Sequence, residues 1–134
     1  MQKTLLIVEH RKNLRMLYDH ELLEEGYRVL LAENEDDALR ILDHECPDLI
    51  IVDGQLVLAQ GLNTLEKIKS FCDHTLIVVN DANHRSCKEL LCSFLVDDCI
   101  VKSSDFDSLK ERIKTILSKK QSMEGNHDHD KNCC

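Results

Sequence analysis

With 134 residues the chain is long enough for one domain around a single core and too short for two ordinary ones. A hydrophobic content of 43% beside 31% charged residues describes a globular chain, and one proline with four glycines argues against linker-rich or low-complexity organisation. The formal charge of −8, with no basic stripe to displace counterions, disfavours nucleic-acid binding and points to protein partners.

The opening run Leu5-Leu6-Ile7-Val8 is too short for a signal or membrane segment and predicts a first strand. From Lys12 to about Glu25, Leu14, Leu17, Tyr18 and Leu22 share one helix face, and Gly26 suits its C-terminal cap. A second strand is predicted over Tyr27 to Leu31. Asn34 then offers an N-cap, Glu35-Asp36-Asp37 favour the positive start of a helix, and Ala38, Ile41 and Leu42 turn inward before Pro47 forbids continuation. The third strand is Leu49 to Val52, followed by a helix over about Leu62 to Phe71 with Leu62, Leu65 and Ile68 inward. A fourth strand over Leu76 to Val79 precedes a helix from about Ala82 to Leu95, with Cys87, Leu90, Leu91 and Phe94 inward. Cys99 to Val101 predicts the fifth strand. Ser104 can cap a last helix whose inner stripe is Phe106, Leu109, Ile113, Ile116 and Leu117. Five βα units predict an α/β fold with a five-stranded parallel sheet and helices on both faces. Periodicity stops after about Lys119, which divides the chain into a domain over 1–119 and a disordered tail over 120–134.

Of the seven cysteines, Cys46, Cys72, Cys87, Cys92 and Cys99 lie in or beside apolar segments, where a thiol acts as a small hydrophobe. That usage suits a reducing cytoplasm, with Cys87 and Cys92 as core filling. Asp97 and Asp98, at the start of the fifth strand, read as solvated loop acids. The tail His127-Asp128-His129-Asp130-Lys131-Asn132-Cys133-Cys134 gathers metal-binding side chains, but an unstructured tail is the simpler reading.

Chemistry is expected where strands end. Asp53 closes an apolar strand, and the first and fifth strands run into Glu9-His10 and Lys102; in open α/β sheets such ends gather ligands at the topological switch point. Two acids and a lysine there would make a small pocket for anions and cations.

With these spacings the chain resembles, over roughly residues 3–118, the receiver domain of two-component response regulators, a CheY-like, flavodoxin-like doubly wound sheet of order 2-1-3-4-5 with five helices. The resemblance implies that Asp53 accepts a phosphoryl group from a sensor histidine kinase or histidine phosphotransfer protein, with Lys102 and Asn80 at the positions that bind it. It implies Mg2+, or Mn2+, held by Glu9, Asp53 and the Gln55 carbonyl. Gly61, eight residues past Asp53, also matches. His10 replaces a carboxylate of the family, so metal binding should be weak. Three readings of His10 stay open: an exposed loop residue, a ligand favouring manganese or zinc, or an imidazolium paired with Asp53. Asn80 replaces a hydroxyl residue, Cys99 an aromatic one and Ser103 a proline; Leu56-Val57 and Leu95-Val96 replace smaller pairs.

The resulting expectation is an atypical, cytoplasmic single-domain receiver without an output domain, signalling through the face of its fourth helix, fifth strand and fifth helix. It would not be an enzyme beyond self-catalysed aspartyl phosphorylation, and would bind neither nucleic acid nor membrane. The alternative is a phosphorylation-independent pseudo-receiver that serves as a binding adaptor. A flavin carrier is a third class, disfavoured because Glu9-His10-Arg11-Lys12-Asn13 lacks the Ser/Thr/Gly richness that cradles a phosphate.

Overall fold

A computed structural model of the chain describes residues 2–101 and 105–122. Its elements run β1 (Thr4–Val8), α1 (Lys12–Glu24), β2 (Arg28–Ala32), α2 (Glu35–Leu42), β3 (Leu49–Asp53), α3 (Gly54–Gln60), α4 (Asn63–Phe71), β4 (Leu76–Ala82), α5 (His84–Cys92), β5 (Asp98–Val101) and α6 (Phe106–Ser122). The five strands form one parallel sheet of order β2-β1-β3-β4-β5, as the resemblance implied.

Alternation along the strands sorts the core into two layers. Leu6, Val8, Ile50, Val52, Ile77 and Val79 face α2, α3, α4 and α5. Leu5, Ile7, Leu49, Ile51, Val78 and Ile100 face α1 and α6, meeting Tyr18, Leu22, Leu109, Ile113 and Leu117. Strands covered on both sides must be apolar throughout, and each such side chain contributes about 2 kcal/mol by leaving water.

Local signals behave as their chemistry dictates. Asn34 Oδ1 accepts from the Asp37 backbone N–H at 2.9 Å and starts α2. Gly26, at φ 95°, ends α1: its N–H donates to the Leu23 carbonyl while Tyr27 N–H donates to that of Leu22, which satisfies two terminal carbonyls.

Several expectations need correction. There are six helices among the described residues, because a short α3 follows Asp53 directly; its Leu, Ala and Gln favour helix, Val57 is buried, and Gly61 at φ 71° stops it. Leu17, Leu62 and Phe94 are exposed, and Phe94 lies past the end of α5 with φ 65°. Asp105 caps α6, accepting from the Ser108 N–H at 2.9 Å, and the helix continues to Ser122, past the boundary drawn at 119; Ser104 and the His/Cys tail lie outside the described residues.

Asp97 and Asp98 are structural rather than merely solvated. Asp97 accepts from the Ile77 N–H at 2.8 Å, and Asp98 accepts from Arg112 Nε at 2.9 Å. The cysteines also depart from the expected free thiols: Cys46 bonds Cys72, and Cys87 on α5 bonds Cys99 on β5, leaving Cys92 free among the described residues.

Candidate functional site at the carboxyl rim of the sheet

Register places the site. Val8 is level with Val52, so Glu9 and Asp53 emerge side by side, and Asp53 is level with Asn80 on its other flank. Neighbouring parallel strands lie about 4.8 Å apart, which forces the two carboxylates together. Glu9 is 2% exposed and Asp53 3%. Two buried like charges repel strongly, so cationic compensation must be close.

The compensation comes from the loop that opens α1. Arg11 Nε donates to Glu9 Oε2 at 2.9 Å, and its Nη2 reaches Glu9 Oε1 at 3.3 Å and Asp53 Oδ1 at 3.4 Å. The Arg11 backbone N–H also donates to Glu9 Oε2, at 2.9 Å, so Glu9 sits at the positive start of α1. His10, exposed, holds Nδ1 at 3.5 Å from Asp53 Oδ2 and 3.6 Å from Glu9 Oε2. Arg15 fixes the loop from below, donating to the carbonyls of Glu9 at 2.7 Å and His10 at 3.3 Å.

Neither arginine was singled out from the sequence. The signal for Arg11 was its place two residues past an acid at a strand end, where a bidentate fork can fold back on the carboxylate.

Glu9, His10 and Asp53 come together, with one ligand atom from each lying within 4.8 Å of the others. Asn80 flanks Asp53, but its amide donates to the hydroxyl of the buried Tyr18 on α1. Gln55 lies in the first turn of α3, where a helical carbonyl points along the axis toward the residue four positions on; it would reach a ligand only if that turn opened. Lys102 follows β5 but lies outside the described residues, as does Ser103.

Two carboxylates and an imidazole fit a divalent ion as a donor set, and suit manganese or zinc better than magnesium, which prefers oxygen ligands.

The response regulator receiver domain family matches this chain over residues 5–114. The chain belongs to that family. Among curated relatives, the response regulator ArlR of Staphylococcus aureus is 33% identical over 114 residues, covering 84% of this chain and 52% of the relative, so the receiver spans about half the length of the curated relatives it matches. The response regulator TrrA of Thermotoga maritima, solved in complex with Mg2+ and BeF, superposes at a TM-score of 0.74 with 33% identity, over 86% of this chain and 99% of that one. A CheY-like receiver from Methanospirillum hungatei superposes at 0.80 with 22% identity, over 91% and 98%, which bears on the fold alone.

Receivers are signalling domains of two-component systems that generally bind Mg2+ and work with histidine kinases and downstream effectors. Among the described residues of this receiver, no helix is long and apolar enough to cross a membrane.

Proposed function

We propose that this receiver accepts a phosphoryl group on Asp53 from a histidine kinase or histidine phosphotransfer protein and signals by protein contact. The observation that carries the reading is the burial of Glu9 and Asp53 side by side at the carboxyl rim, with basic side chains converging on them. An Asp53 carboxylate oxygen attacks phosphorus as the P–N bond breaks, the bonding pair leaves with nitrogen, and charge on the equatorial oxygens must be neutralised in place.

Lys102 is assigned to the bound phosphoryl group, and Asn80 reaches it once released from Tyr18. A divalent ion, Mg2+ or Mn2+, supplies further neutralisation when bound, held by Glu9, Asp53 and His10, with the Gln55 carbonyl joining if α3 opens. Its binding is weak, since His10 replaces an acid. The downstream partner binds the face of α5, β5 and α6, the fourth helix, fifth strand and fifth helix of the sequence reading. The functional unit is the receiver domain, drawn at residues 1–119 from the sequence and carried to Ser122 by α6. A cytoplasmic location belongs to this reading, but the two disulfides remove the cysteine argument for it.

The engagement of Asn80 by Tyr18 favours a second reading, a binding module that takes no phosphate. Incubation with phosphoramidate, followed by intact-protein mass spectrometry, separates the two. Gain of one phosphoryl group, absent in Asp53→Asn, supports the acceptor; no gain under any metal condition leaves the adaptor.

A further inference from the structure

Glu9 is the acid on which a metal ion would depend most, and three of its about four acceptor sites are already taken. Its Oε2 accepts from the Arg11 backbone N–H and from Nε, and its Oε1 from Nη2. The same Nη2 lies 3.4 Å from Asp53 Oδ1, so one planar guanidinium spans both buried carboxylates. A fork on paired carboxylates is the geometry in which arginine outperforms a point charge. The formal charge of Glu9, Asp53 and Arg11 together is −1, where two acids without the arginine would present −2 to an incoming ion.

We propose that Arg11 is the resident cation of this receiver's site: it competes with a divalent ion for Glu9 and Asp53, and its guanidinium neutralises the phosphoryl oxygens, so that Asp53 accepts phosphate with little need of metal. The inference rests on the phosphoacceptor reading for its second half and on geometry alone for its first. Arg11 is 40% exposed along its side chain while the carboxylates beneath it are 1–2% exposed, so it covers the pair from the solvent side, the direction from which a donor must arrive. Arg15, bonded to the carbonyls of Glu9 and His10, keeps the loop in the conformation that aims Arg11 inward.

The test compares wild type, Arg11→Gln and Arg11→Lys in two measurements. Mn2+ titration followed by electron paramagnetic resonance needs no phosphate. Removing the competing cation should tighten Mn2+ binding by about tenfold in Arg11→Gln, within the ordinary range for coupled ligands. Arg11→Lys keeps the charge but not the fork, so it should fall between and guards against a folding defect in the glutamine variant. Equal Mn2+ affinity in all three overturns the inference whatever the phosphate experiment gives.

Phosphoramidate labelling is then run in EDTA and in Mn2+. In the reaction Asp53 gains a P–O bond, the P–N bond breaks, and nitrogen leaves as ammonia. Wild type should label in EDTA at within about threefold of its rate in Mn2+, while Arg11→Gln should label only with the metal. Wild-type labelling abolished by EDTA overturns the metal-independent step. Absence of labelling in every protein and buffer, with the Mn2+ affinities still separated, rejects the phosphoacceptor reading and upholds the competition of Arg11 with metal.

Discussion

At the scale of single residues, Tyr18 links the site to the core. Its hydroxyl accepts from the Asn80 amide, and its ring meets Phe106 edge-on, with centroids 5.3 Å apart and planes at 73°. Tyr18→Phe keeps the ring contact and deletes the acceptor, so urea unfolding should show a loss of about 1 kcal/mol. The same variant releases the Asn80 amide toward Asp53, and phosphoramidate labelling should accelerate; an unchanged rate would remove Asn80 from the phosphoryl site. Asn34 makes a simpler case. Asn34→Ala deletes the α2 cap and should cost about 1 kcal/mol by the same measurement. Asn34 and Gly26 were legible because capping is local chemistry, decided within a few residues. Arg11 was not, because its value depends on Asp53, forty-two positions away, arriving beneath it.

Between elements, the covalent and ionic ties were the least legible part of the molecule. Cys87 and Cys99 are twelve residues apart, and only the packing of α5 against β5 brings them together; Cys46 and Cys72 are twenty-six apart and meet where the segment after α2 passes the end of α4. Apolar surroundings predicted the burial of Cys72, Cys87 and Cys99, whereas Cys46 is exposed, and they carry no information about pairing. Closing a loop of this length restricts the unfolded chain, and Cys87→Ser with Cys99→Ser should lower stability by about 3 kcal/mol relative to the oxidised protein, read as a fall in urea midpoint. An equal midpoint for wild type and double variant once both are reduced would assign the loss to the Cys87–Cys99 bridge, since Cys46–Cys72 is then open in each. The short α3 was missed for a related reason: Gln55-Leu56-Val57-Leu58 is too brief to show a helical period, and its helix is decided by Val57 docking on the sheet.

For the whole molecule, the sheet order and both core layers followed from apolar runs alternating with helical segments, since a strand buried on both faces has no freedom to be polar. Charge then joins neighbouring helices within each layer. Lys110 on α6 donates to Glu21 on α1 at 2.6 Å, and Glu35 on α2 accepts from Thr64 and from Lys67, at 3.1 Å, on α4. The hydrogen bond from Lys110 holds the Glu21 carboxyl below its ordinary 4.5, and the one from Thr64 does the same for Glu35. A carboxyl lowered in the folded state stabilises above its unfolded value, and that stabilisation is lost as pH falls through the folded value. Glu21→Gln and Glu35→Gln should therefore weaken the protein at neutral pH and leave it nearly unchanged once the pH has fallen below the lowered folded-state values, where wild type has lost the same contribution. A mutational loss of equal size at both pH values would contradict the ionic origin.

The Cys87–Cys99 bridge carries a further consequence for motion. It converts the latter part of α5, the turn through Phe94 and the head of β5 into one covalent ring, so neither end can peel away from the sheet while the other stays docked. Backbone amides inside the ring that open only by such peeling should exchange with deuterium together, at a shared slow rate. Adding a thiol reductant should split them into a faster helical set and a slower strand set.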